Sequence, residues 1–293
     1  MNIRKPIVAG QFYPAAKVSA QAALDECLAV NVDEHDLPRI IVGGIVPHAG
    51  WMCSGMVAGK VFRAIAMRGE VETFVLYGAV HRYGVNRPSV YPSGVWETPL
   101  GQVAIDERLA SEVLLNSNLF RGDPDAHQLE HSIEVEVPFI QRLFPQAKIL
   151  PVMTPPTLCA EEAGQIVGET IVRTGIKAVC IGSTDFTHYG PSYRFTPHGC
   201  GREGLRWAKD VNDHGLLERI ERMDPDSAIE YAEHAQAACG SGAIAASIAS
   251  AVAMGANKVK VLEHTTSFEV LGSRFGDRSD DSVGYAGIVF GID

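Results

Sequence analysis

The stretch "RIIVGGIVPHAGWMCSGMVAGKVFRAIAMR", residues 39–68, decides the fold. Residues 39–47 form a short run rich in Ile and Val, closed by Pro47, and read as a buried strand. Residues 54–68 instead carry apolar side chains at helical spacing. Between them "PHAGW" delivers His48 at the point where strand gives way to helix. Strand, polar loop and helix in succession are the repeating unit of a parallel sheet.

The unit recurs. "TFVLYGA" (73–79), "AKILPVM" (147–153), "IKAVCIGS" (176–183), "KVKVLEH" (258–264) and "VGYAGIVF" (283–290) read as further strands. Helices are predicted over 106–117, 161–174, 224–236 and 241–255, with Asp224-Pro225 as N-cap and first-turn proline of the third. Residues 89–105, broken by Pro and Gly, predict extended or hairpin structure. Residues 131–144 predict a helix kinked at Pro138. The alternation implies one α/β domain over residues 1–293, its mostly parallel central sheet covered by helices on both faces.

Composition narrows the function. The 293 residues are 46% hydrophobic and 20% charged, which describes a globular chain and not a disordered one. A net charge of -10 with no basic run speaks against nucleic acid or an anionic membrane as partner. The opening "MNIRKPIVAGQFYP" has no apolar core of a signal peptide, and no run of about 18 apolar residues predicts a membrane span. Six cysteines without CxxC pairing predict reduced thiols and a cytoplasmic protein. Cys27, Cys53, Cys159 and Cys180 read as small core residues.

In open α/β sheets, ligands bind beyond the carboxyl ends of the strands. Three strands here end on histidine: in "PHAGW" (His48), "GAVHRYG" (His81) and "TDFTHYG" (His188, with Asp185). One histidine after a strand ordinarily caps a loop; three converging on one crevice are natural metal ligands. Cys239, in "AACGSGAIAASIASAVAM", precedes a small-residue helix whose N-terminus would favour a thiolate, either ligand or nucleophile. Gly240 and Gly242 would let backbone or a ligand approach it. Trp51, Tyr83, Phe186 and Tyr189 flank these positions and are expected to wall a pocket for a flat ligand.

"DAHQLEHSIEVEVPF" (125–139) also spells H-x-x-E-H with His127, Glu130 and His131, the order of an inverted zinc-peptidase motif. That motif needs both histidines on one helical face, and Asp123-Pro124-Asp125 restricts the chain just before His127. His131, with Ser132 and Glu134, is expected at the start of a helix facing the same crevice as His48.

With "AGQFYP", "VPHAGW", "YGAVH", "WETPLG", "EHSIEVEVPF", "STDFTHYG", "CGSGAI" and "VGYAGIVF" in order along nearly the whole chain, the sequence resembles the Memo family, known in prokaryotes as protein B of the AmmeMemoRadiSam system. The resemblance implies a fold like that of class III extradiol dioxygenases, which hold non-haem Fe(II) with two histidines and a carboxylate. It implies a metal site of His48, His81 and Cys239, with Asp185 and His188 lining the pocket as candidate catalytic residues, His188 the acid/base. His131 and Glu134 are further candidate lining residues. Here Gly78-Ala79-Val80-His81 replaces the family's common G-P-x-H, so that turn is expected to differ in shape. Cysteine in place of a carboxylate keeps iron (Fe2+) in play and strengthens the case for copper or zinc. The implied function is a metal-dependent redox protein taking a small molecule or peptide in the crevice, in association with a radical-SAM enzyme. A non-catalytic module for (phospho)peptides and a zinc hydrolase are the alternatives.

Overall fold

The computed structural model describes residues 2–81, 84–157, 159–275 and 279–293. In chain order the first half contains β1 (Ile3–Arg4), α1 (Lys17–Leu28), β2 (Ile40–Val46), α2 (Trp51–Ala66), β3 (Thr73–Gly78), β4 (Ser89–Val90), β5 (Val95–Thr98), β6 (Gly101–Ala104), α3 (Glu107–Asn116), β7 (Arg121–Gly122), α4 (Val137–Leu143) and β8 (Lys148–Met153). The second half adds α5 (Cys159–Thr174), β9 (Ala178–Ser183), β10 (His188–Tyr189), α6 (Arg202–Trp207), α7 (His214–Glu221), α8 (Pro225–Ala235), α9 (Ser241–Ala253), β11 (Lys258–Thr266), α10 (Ser267–Phe275) and β12 (Ser282–Ile292).

The fold is α/β with a mixed, mostly parallel central sheet. Its core is four parallel strands in the order β2-β9-β3-β8. Antiparallel pairing appears outside them: β12 against β2 on one side, with β10 and β11 against β12, and β4 against β8 on the other. A small second sheet joins β1 to the hairpin β5–β6, within the segment expected to be extended.

Strand side chains alternate between faces, so each parallel strand feeds two cores. Phe74, Leu76, Ile149, Val179 and Ile181 pack with α1, α2 and α4, whereas Val75, Tyr77, Leu150, Val152 and Cys180 pack with α3, α5 and α9. Burying each large side chain of this kind is worth roughly 1.5–3 kcal/mol. That double burial explains why these strands read as unbroken apolar runs.

α9 lies against α5 at backbone distance because the contact is built from small residues. A Cβ on Gly164 would collide with the carbonyl of Ala246, and one on Gly168 with that of Ser250. α3 starts on Asp106, which accepts from Leu109 N–H, and α8 on Asp224, which accepts from Ser227 N–H, both ordinary N-caps.

One predicted element is shorter than expected. Residues 132–136 form successive turns, and α4 begins only at Val137 with Pro138 in its first turn, where its missing N–H is harmless. Here the Glu130 carboxylate accepts from the N–H groups of His131 and Ser132, and Glu136 and Val137 N–H close tight turns onto the Ile133 and Glu134 carbonyls. Ile133, Glu134, Val135 and Glu136 are then all buried, which no single helical face would permit.

Candidate functional site

Pairing register places the site. Val46 lies opposite Ser183, and Tyr77 opposite Gly182, so β2, β9 and β3 end level. Their loops therefore deliver His48, Asp185 and His81 to the same end of the sheet. Cys239 reaches it from the turn before α9.

His48 is buried, and its tautomer follows from its partners. The Ser183 hydroxyl donates to the Ser132 carbonyl at 2.6 Å, so its oxygen accepts from His48 Nδ1–H at 3.0 Å. Nε2 is then the bare nitrogen, and it faces Cys239 Sγ at 3.2 Å. Burial, reinforced by His81 and His131, holds this imidazole well below the usual histidine range, so it is neutral.

His81 is held from behind by Glu130, which accepts from its backbone N–H at 3.0 Å and its Nδ1 at 2.9 Å. Burial opposes its charge, but hydrogen bonding with Cys239 and Glu130 prevails and pushes the ring up to about 10. Glu130 is buried too, yet its contacts with His81 and the backbone N–H groups keep it below the usual carboxylate range. His131 stacks on His81 with centroids 4.8 Å apart, meets His48 edge-on at 5.4 Å, and is kept neutral by burial. One nitrogen from each of His48, His81 and His131 lies within 4.8 Å of the others, a group that can hold a metal ion.

Cys239 accepts from Asp185 N–H at 3.3 Å, and its own N–H donates to the Asp185 carbonyl at 3.2 Å. Burial pushes the Cys239 thiol up and Asp185 adds to it, against the expected thiolate, while the His81 hydrogen bond and charge act the other way. The neutral thiol donates to bare His48 Nε2. Ligands of one tetrahedral ion at Zn–N and Zn–S lengths stand roughly 3.5 Å apart, near the observed sulfur–nitrogen distance. The flanking glycines serve backbone, not ligand. A Cβ on Gly242 would strike the Thr154 and Pro155 carbonyls, and one on Gly240 would crowd Ser183 and Thr184.

Asp185 Oδ1 accepts from the N–H groups of His48 at 2.8 Å and Ala49 at 3.2 Å, and burial pushes this carboxyl up to about 7. His188 Nε2 stands 3.9 Å from Asp185 Oδ2, too far for a hydrogen bond, and burial pushes its ring down to about 4. Beside this pair lies a cavity of about 280 Å³, reaching from Cys239 and His188 past Phe186 to Tyr193 and Glu233.

Several expected residues lie elsewhere. Glu134 does not face the crevice: its carboxylate is taken by Arg4 at 2.7 Å, Tyr13 OH at 2.8 Å and the N–H groups of Ile7 and Val8. Trp51 is a core residue stacked on Tyr13, its Nε1–H donating to the Val135 carbonyl. Tyr189 is buried under Phe195 and Trp207, its hydroxyl donating to the Gly199 carbonyl. Of the aromatic candidates, Phe186 lines the cavity, and Tyr83 lies outside the described residues. His127 ends a 3-10 turn, its ring packed against Tyr91 and Trp96 and its Nε2 on the Ser89 carbonyl, so the zinc-peptidase pairing with His131 does not form.

Sequence reasoning placed Glu130 in that rejected motif and within "EHSIEVEVPF", set Ser132 beside His131 without a role of its own, and gave Ser183 no part. Their roles as orienting partners depend on contacts across 49 to 135 residues of chain. Proximity of Glu130 to His131 was the only local signal.

A family model described as Memo-like protein matches residues 4–289. A MEMO1 family protein of Pyrococcus abyssi (strain GE5 / Orsay) is 38% identical over 297 residues, spanning 98% of this chain and 99% of its own length. Another, from Thermococcus onnurineus (strain NA1), is 36% identical with the same coverage. One from Methanopyrus kandleri is 34% identical over 98% of each chain. Motifs and identity thus run together from end to end, and the chain belongs to the Memo-like family.

Proposed function

We propose that this is a metal-dependent redox protein, its architecture akin to the class III extradiol dioxygenases, with iron or copper held by His48, His81 and Cys239 and with His131 as a fourth donor. The observation that carries the reading is the orientation of the histidines. Ser183 keeps the His48 proton on Nδ1, and Glu130 takes Nδ1 of His81, so each ring turns Nε2 towards the crevice. Carboxylate and hydroxyl partners behind histidine ligands are the usual support of a metal centre. A bound iron or copper ion would supply one-electron chemistry and an open position for substrate or oxygen.

The protein's own groups supply the proton handling. His188, neutral at pH 7, accepts a proton at Nε2, and Asp185, raised towards neutrality, is the group that can return one. Asp185 is fixed by two backbone donors, so His188 is the partner free to follow a ligand. The rings of Phe186 and Phe195 line the cavity beside His188.

The test is elemental analysis of protein purified without oxygen. About one iron or copper per chain is expected, lost in His48→Ala and Cys239→Ala, weakened in His131→Ala and kept in His127→Ala. Wild-type protein that takes up no metal on anaerobic reconstitution would sink this reading in favour of a non-catalytic binding module. Loss of metal in His127→Ala alone would return the zinc hydrolase.

A further inference from the structure

We infer that the cavity beside Cys239 takes a small aromatic ligand carrying hydrogen-bond donors, above all a cationic amine, and turns away phosphoryl and carboxylate anions, with Glu233 setting that preference. The inference rests on the reading of this cavity as the ligand side of the candidate metal centre.

Size comes first. About 280 Å³ admits one substituted ring with a short chain and lies at the small end of ligand pockets. The rings of Phe186, Tyr193 and Phe195 line it, which suits a flat apolar body.

Its polar lining mixes Tyr193, Gln236 and Cys239, which can donate, with two pure acceptor atoms, on Glu233 and His188. Glu233 receives the Ser241 hydroxyl on Oε1 at 2.5 Å, and the described residues give Oε2 no hydrogen bond. His188 Nε2 is enclosed without a partner, an arrangement a bound hydroxyl would complete. Among the described lining residues there is no Lys or Arg, and the only formal charge is the Glu233 carboxylate.

Backbone polarity points the same way. Ala232, Glu233 and the C-cap Gln236 bring the C-terminal end of α8 to the cavity wall, where the helix dipole favours cations. The start of α9 comes near the cavity through Cys239, but Gly240, Ser241 and Gly242 are buried and Gly240 N–H is taken by Thr184 Oγ1.

Calorimetric titration of tyramine, 4-hydroxyphenylacetate and phenyl phosphate into metal-free and iron-reconstituted protein tests this. Wild type is expected to bind tyramine at least tenfold more tightly than either anion. In Glu233→Gln that ratio should fall about tenfold, and in Glu233→Lys it should reverse. Glu233 is exposed and makes one side-chain hydrogen bond, so both variants should keep the wild-type circular dichroism. An anion preferred by wild type, a ratio unmoved in Glu233→Gln, or no tyramine binding at millimolar concentration would overturn the inference. Tyramine preference in a protein that never takes up metal would uphold it while removing the metal reading.

Discussion

Cys239 Sγ stands 3.2 Å from His48 Nε2, and behind the histidines Ser183 and Glu130 hold the Nδ1 atoms of His48 and His81. Ser183→Ala removes the acceptor for His48 Nδ1–H, and Glu130→Gln replaces the anion behind His81. Each should weaken iron or copper binding about 10- to 100-fold, measured by competition with a chelator, while leaving the far-ultraviolet dichroism unchanged. Affinity equal to wild type in both would remove these residues from any supporting role. Glu136 makes a different residue-scale case. It is buried, its Oε2 has no partner, and burial with the nearby Asp185 raises its carboxyl well above the usual range. The folded state therefore holds the proton that the unfolded chain releases above its ordinary value near 4.5. That contribution is complete below this value and is lost as pH rises. Urea denaturation should show wild type losing about 1.4 kcal/mol per pH unit relative to Glu136→Gln above roughly pH 5. Parallel stability curves for the two proteins would contradict it.

At the scale of elements, the site depends on helices and turns that bring backbone close to backbone. α5 and α9 touch through Gly164 and Gly168 against Ala246 and Ser250, and this contact seats α9 and therefore Cys239. Gly164→Ala should cost roughly 1–3 kcal/mol, read as a lower denaturation midpoint with unchanged slope, because the added Cβ meets main chain that cannot step aside. A neutral substitution would mean that the two helices separate freely. The π-helical turn Ala208–Asp213 acts on the opposite wall. It delivers Asp213, whose Oδ1 accepts from Thr187 N–H at 3.0 Å and whose Oδ2 meets His264 Nε2 at 3.1 Å, fixing the loop between Asp185 and His188. Most elements were legible beforehand, because apolar runs and caps are local signals; the strands over 73–78 and 178–183 are of this kind. Residues 131–136 were not: Val135 and Glu136 N–H close turns onto the His131 and Ile133 carbonyls, and Ile133, Glu134, Val135 and Glu136 are all buried by packing that helical periodicity does not register.

Over the whole molecule, the N-terminal segment is a brace for the site. Arg4 is fully buried, paired with Glu134 at 2.7 Å, set over the Trp96 ring, and bonded to the carbonyls of His127 and Glu130. Arg4→Ala leaves the Glu134 carboxylate in the interior without its cation and should cost about 3–5 kcal/mol in equilibrium unfolding. A loss below about 1 kcal/mol would mean that water reaches Glu134 readily. Among the described residues no helix is long and apolar enough to cross a membrane, as the run lengths predicted.

The α/β alternation, the strand-end placement of His48 and His81, and the family were determined by sequence alone, because strand burial and helical spacing are written in neighbouring residues; His188 instead opens β10 against β12. The structure alone decided that His131 joins the histidine group while His127 does not, and that Glu134, Trp51 and Tyr189 belong to the interior. It also decided that Glu130 and Ser183 orient the rings and that Cys239 is buried against Asp185 and His48, which raises its thiol. Each of those outcomes depends on which partner arrives from a distant part of the chain and on how much water the final packing excludes. Neither quantity is carried by local spacing.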